Sequence, residues 1–196
     1  MMKKQVLISV KILLLFSLVT GIIYPLFITG MANLLFKDKA DGSLIKRNDQ
    51  VIGSSLIGQA FDSLAYFWSR PSAIGYNPLP SGGSNLGLTN EKIRQQLMER
   101  ERYFLRVNSL PPGTHVPSEM VFTSGSGLDP HISPEAALLQ VDRIAKARNF
   151  SIIQRNELQI LITKLIEEPQ LSLFGQERIN VFMLNLELDK IDEYQR

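Results

Sequence analysis

The sequence contains no cysteine, which excludes a disulfide framework, a thiolate metal site and a cysteine nucleophile. Histidine is nearly as scarce. Only His115 and His131 carry imidazole among 196 residues, short of the roughly four ligands of a structural zinc site. Beyond the first 36 residues, which hold Lys3, Lys4 and Lys11 and no acid, neither charge is in excess. Removing those three lysines from the 21 basic residues leaves 18 against 19 acids, without the basic face that nucleic-acid binding requires. Nucleic acid is therefore excluded as a partner.

What the N-terminal part has in abundance is hydrocarbon. The 25 residues from Ile12 to Phe36 carry no charge. As a helix they extend about 37 Å at ~1.5 Å per residue, enough to cross a hydrocarbon core of about 30 Å. A cleaved signal peptide has an apolar run of about 7–15 residues and a small-x-small site. The bulky Met31-Ala32-Asn33-Leu34-Leu35-Phe36 does not supply that site. Three lysines precede the run, whereas Lys37 and Lys39 follow it interleaved with Asp38 and Asp41. The positive-inside rule then predicts a cytoplasmic tail (1–11), a transmembrane helix (12–36) and an extracytoplasmic domain (37–196). Along the helix, Ser17 and Gly21 form a small-xxx-small pair, and Pro25, Ile28 and Ala32 continue near the same face. Small residues let helices approach closely in lipid, so this stripe is the expected partner face.

The exported part reads as a single α+β domain, with strands early and helices late. Ser43–Lys46 and Gln50–Gly53 are predicted strands around the polar turn Arg47-Asn48-Asp49, and Ser55–Gly58 a third. Residues 59–89 are rich in Gly, Pro, Ser and Asn yet hold Tyr66, Phe67, Trp68 and Tyr76, so they read as packed irregular chain rather than linker. Asn90 caps a helix running to about Arg106. Met120–Thr123 is a predicted strand. Ser133-Pro134-Glu135 opens a helix that directs Ala137, Leu138, Val141, Ile144 and Ala145 inward. Ser151 and Gln154 form a capping box for a helix burying Leu158, Leu161, Ile162 and Leu165, which Pro169 stops. Asn180 caps a last helix using Val181, Leu184, Leu188 and Ile191, with a strand over 179–184 as the alternative.

Few residues offer chemistry. Ser81, Gly82, Gly83, Ser84, Asn85 and Gly87 make a glycine-rich stretch of the kind that presents backbone N–H groups to phosphate, but no Walker lysine follows it. Ser126, Asp129 and His131 contain the residue types of a hydrolase triad within six residues, without the G-x-S-x-G elbow. A membrane-anchored exported hydrolase using Ser126 and His131 is the alternative reading. The plainer one gives Ser124, Gly125, Ser126, Gly127, Asp129 and His131 a structural role, fixing a loop before the next helix. Ser43-Leu44-Ile45-Lys46 fits S-x-x-K but lacks the companion motifs of penicillin-recognising enzymes. His115 reads as a solvated loop residue.

Several stretches taken together are similar to one family. They are Leu18-Val19-Thr20-Gly21-Ile22-Ile23-Tyr24-Pro25-Leu26, Leu56-Ile57-Gly58-Gln59, Trp68-Ser69-Arg70-Pro71-Ser72-Ala73 and Tyr76-Asn77-Pro78. Ser81 to Gly87, Thr89-Asn90, the loop Thr123 to Ser133, Arg178-Ile179-Asn180-Val181 and Leu184-Asn185-Leu186 follow in order. In order and spacing they resemble the C subunit of the Kdp-type bacterial potassium-transporting P-type ATPase. The resemblance implies a non-catalytic subunit in the cell membrane that stabilises assembly of a channel-like potassium-binding subunit and a P-type ATPase subunit. A small single-helix subunit completes that complex. ATP and potassium would be handled by the complex, and no cofactor is expected on this chain. Family descriptions add a catalytic-chaperone role that raises ATP affinity, for which the stretch 81–87 is the candidate. The predicted topology places that stretch across the membrane from cytoplasmic ATP, which leaves an indirect effect through the helices.

Overall fold

The computed structural model describes residues 2–87 and 89–193. Leu88, inside the irregular stretch, and the last three residues of the expected domain lie outside the described residues. The fold is α+β, as expected. Contacts divide the chain into two compact units, Met1–Ser54 and Ser55–Arg196.

The first unit is led by a helix from Met2 to Leu35, none of it buried and long and apolar enough to cross a membrane. It consists of α1 (Met2–Leu18), a π-turn (Val19–Ile23) and α2 (Tyr24–Leu35). Pro25 explains the turn. It has no N–H to give to the carbonyl four residues back, and its ring crowds the preceding turn. The chain widens there, and the Tyr24 amide donates to Val19 O, five residues back. Phe36 leaves helical geometry (φ −140°, ψ 47°), and a one-turn α3 (Lys37–Ala40) follows.

Strands β1 (Leu44–Arg47) and β2 (Gln50–Ser54) form the expected antiparallel hairpin. Asn48 and Asp49 turn it with φ of 52° and 62°, the left-handed pair that suits a right-twisted hairpin. The predicted third strand does not form. Residues 55–57 turn instead, and the Gly58 amide donates to Leu128 O at 2.7 Å.

In the second unit, α4 (Glu91–Val107) starts where expected, with Asn90 accepting from the Lys92 amide at 2.9 Å, and it buries Ile93 and Phe104. The predicted strand at 120–123 is absent. A 3₁₀ turn (Ser118–Met120) occupies its start, and the Val121 and Phe122 amides both close onto Ser118 O. Met120 and Val121 are both buried, a pattern that strand alternation does not give.

The next helix is split into α5 (Pro134–Leu138), capped by Ser133 Oγ, and α6 (Val141–Ala147). Leu138, expected inward, is 47% exposed, and Gln140 is fully buried in its stead. Its amide nitrogen donates to Ala136 O while its carbonyl oxygen accepts from Trp68 N and Arg143. The turn at 139–140 is thus organised around a polar side chain.

α7 (Ile152–Lys164) has the complete Ser151–Gln154 capping box. The last segment is the expected helix, and the strand alternative over 179–184 holds only for its first two residues. β4 (Ile179–Asn180) pairs antiparallel with β3 (His131–Ile132), and α8 (Val181–Glu193) follows at once, with Asn180 Oδ1 accepting from Met183 N. Phe67, Ile144, Leu158, Ile162, Leu184 and Leu188 close the core. Phe67 enters it from irregular chain because Asn185 serves its backbone as a strand would: Phe67 N donates to Oδ1 at 2.8 Å and Nδ2 donates to Phe67 O at 3.0 Å.

Candidate functional site

Three irregular segments meet in the second unit, and glycine makes the meeting possible. A Cβ at Gly58 would lie 2.8 Å from Asp129 O, and one at Gly127 (φ +72°) 2.5 Å from Ile74 Cγ1. Gly82 N donates to Ser126 O at 3.1 Å. The stretch Ser81, Gly82, Gly83, Ser84, Asn85 and Gly87 therefore runs against the loop 124–129. The Gly82 amide is engaged by protein rather than presented to a phosphate, and Asn85 adopts φ 51°. In the second loop Ser124 is buried, its amide donating to Pro71 O, while Ser126 Oγ accepts from Leu128 N at 3.1 Å.

Asp129 joins these segments electrostatically. Its Oδ2 accepts from Arg70 Nη1 at 2.6 Å, and its Oδ1 accepts from the His131 amide at 3.0 Å and faces His131 Nδ1 at 3.1 Å. Burial pushes this carboxyl up, but the His131 and Arg70 contacts outweigh burial and hold it at about 2. Arg70 is fixed in turn, since its carbonyl accepts from the Tyr76 hydroxyl. Burial pushes that phenol up to about 12.

These positions do not compose a triad. His131 lies between two carboxylates, with Glu167 Oε2 3.9 Å from its Nε2. Among the described residues no hydrogen bond joins Ser126 to His131, and no group of three potential metal ligands occurs. The arrangement braces the entry to β3 and α5. A cleft of about 570 Å³ opens beside it, with Arg70, Glu119, His131, Ser133, Phe174 and Arg178 in its wall.

Sequence reasoning missed two arginines that tie the irregular 61–69 segment to the helices. Arg143, 6% exposed on α6, donates to Asn108 Oδ1, Gln140 Oε1 and Leu64 O at 2.9, 2.7 and 2.5 Å, and lies 4.3 Å over the Trp68 ring. Burial pulls its pKa down to about 10, so it stays charged at neutral pH. Trp68 stacks on Tyr103 at 5.6 Å. Arg148 donates to Ala65 O and pairs with Asp189 and Asp192 of α8. Neither stands out in the sequence, because Asp142 and Lys146 put charge in the same helix.

On the apolar helix, Ser17, Gly21, Pro25 and Ile28 are exposed and Ala32 is half-buried, with nothing within 4 Å of a Cβ at Gly21. Polar groups along the helix fold back onto it: Thr20 Oγ1 donates to Phe16 O at 2.7 Å and Asn33 Nδ2 to Thr29 O at 2.9 Å. Gly21 O is the exception in kind, since its α-helical donor would be Pro25. The π-turn also twists the stripe about the axis between Ser17 and Pro25.

Residues 6–190 match the model of a family described as KdpC, the K+-transporting ATPase c chain. A potassium-transporting ATPase KdpC subunit of Mycobacterium bovis is 45% identical over 192 residues, 97% of this chain and 100% of that protein. Proteins of the same description from Caldanaerobacter subterraneus and Leptospira interrogans are 43% and 41% identical, each covering 92% or more of both chains. The chain belongs to the KdpC family of potassium-transporting ATPase subunits.

Proposed function

We propose that this chain is a non-catalytic accessory subunit of an ATP-driven potassium uptake complex. It holds the channel-like potassium-binding subunit and the P-type ATPase subunit together through its single membrane helix, beside a small single-helix subunit. The observation that carries this reading is the helix Met2–Leu35, 0% buried within its own chain. In lipid, the missing side chain at Gly21, in the turn that Pro25 widens, favours the close approach of a neighbouring helix there. The N-terminus is cytoplasmic, and the domain beyond Phe36 lies outside the cytoplasm of a bacterial cell. The engaged Gly82 amide supports an indirect influence on ATP affinity rather than direct contact with nucleotide. Ser126 Oγ is engaged by the Leu128 amide and His131 by Asp129, which gives the hydrolase alternative no support.

The test is recovery of the complex. A C-terminal tag is pulled from gently solubilised membranes, and the two larger subunits are expected with it. A chain that emerges alone sinks the reading. Ser84→Cys, labelled in intact cells by a membrane-impermeant maleimide, is expected to react. Labelling only after the membrane is opened would reverse the topology.

A further inference from the structure

A hairpin in the second unit carries a feature that its fold does not need. Its legs are joined at Glu167–Arg178 and Gln170–Phe174 by four backbone hydrogen bonds of 2.8–3.1 Å. At the tip, Leu171, Leu173 and Phe174 stand 83%, 80% and 66% exposed. The tip is not frayed. Ser172 N donates to Pro169 O and Leu173 N to Gln170 O. Leu171 and Ser172 hold φ of 54° and 58°, a region that L side chains avoid. Single exposed apolar residues need no explanation, but three on one hydrogen-bonded tip mark an interaction surface.

Charge around the tip selects the occupant. The legs of the hairpin carry three acids, Glu167, Glu168 and Glu177, against one base, Arg178, which donates to Glu167 Oε2 at 2.9 Å. Segments that enter a bilayer surface carry Lys and Arg, and an acidic collar is repelled by anionic headgroups. An apolar prong with an acidic collar complements an apolar groove with a basic rim on a protein.

We propose that this hairpin docks into such a groove on the outer face of another subunit of the same pump. The inference rests on the accessory-subunit reading above. Tethering through the membrane helix raises the effective concentration, so a tip of three side chains suffices.

The test places a photoreactive benzoylphenylalanine at Phe174 of the tagged full-length chain in cells making the whole pump. An adduct with another pump subunit, identified by mass spectrometry, is the expected product. Adding Leu171→Ser and Leu173→Ser is expected to lower its yield at least five-fold. Adducts with lipid only, adducts between two copies of this chain, or an undiminished yield in the double variant overturn the inference. Without irradiation, a wild-type tag that recovers no pump subunit condemns the underlying reading. Recovery of the subunits without an adduct to them condemns the hairpin docking alone.

Discussion

Gly83 and Gly125 meet backbone to backbone: a Cβ on Gly83 would lie 2.9 Å from the Gly125 carbonyl oxygen, while one on the adjacent Gly82 would meet nothing within 4 Å. Backbone cannot swing aside as a side chain does, so the neighbouring glycines should differ sharply. Gly83→Ala is expected to cost about 2 kcal/mol, and Gly82→Ala to stay within about 0.5 kcal/mol. Urea unfolding of the purified protein reads both. A phosphate-cradling stretch would instead make Gly82 the sensitive position through nucleotide binding, with no difference in stability.

Asp129 sits at about 2 against an ordinary value of 3.8. A carboxyl whose folded value is depressed contributes stability that is complete above the unfolded value and vanishes as pH falls through the folded one. The stability gap between wild type and Asp129→Asn should therefore narrow from about pH 4 to about pH 2. Denaturant midpoints across that range check it, and a gap that widens on acidification contradicts the assignment.

Capping and periodicity made much of this fold legible. Asn90, Ser133 and Ser151 start helices where their side chains say they should, because a cap is a local hydrogen bond set by adjacent residues. Met120–Thr123 failed as a strand because a β-rich composition cannot show that Ser118 O collects both following amides. Leu138 failed for a non-local reason. Gln140 is committed to Trp68 N, 72 residues away, and this bends the helix off its period. The junction of Gly58, Gly83 and Gly127 was visible as composition, yet the partner of each glycine lies in a different segment. Ser126 and His131 share a short loop but face different neighbours, which sequence proximity cannot reveal.

Arg143 is a buried cation held by neutral acceptors and one aromatic face. Arg143→Met would leave Gln140 Oε1, Asn108 Oδ1 and Leu64 O without this donor, at a cost of about 3 kcal/mol. Arg143→Lys should recover less than half of that, because a single ammonium cannot match the planar fork that reaches three separate acceptors. Thermal unfolding, with tryptophan fluorescence reporting on the one tryptophan at position 68, follows both variants. Equal stability of Arg143→Lys and wild type would show that charge alone is sufficient.

The membrane helix offers the most direct link between local geometry and assembly. Leu14 and Gly21 both lie on its exposed surface, and only Gly21 sits in the π-turn, where Pro25 withholds the carbonyl's usual donor. Gly21→Leu places bulk where a neighbouring helix would approach, so recovery of the larger subunits with a tagged chain should fall about ten-fold, a loss of roughly 1.4 kcal/mol in association. Leu14→Ala trims an apolar side chain that lipid replaces at little cost, and recovery should stay within about two-fold. Parallel pull-downs at matched expression compare the two. If both variants recover the partners equally, the close-approach face lies elsewhere on the helix, and the π-turn is a consequence of Pro25 without a role in assembly.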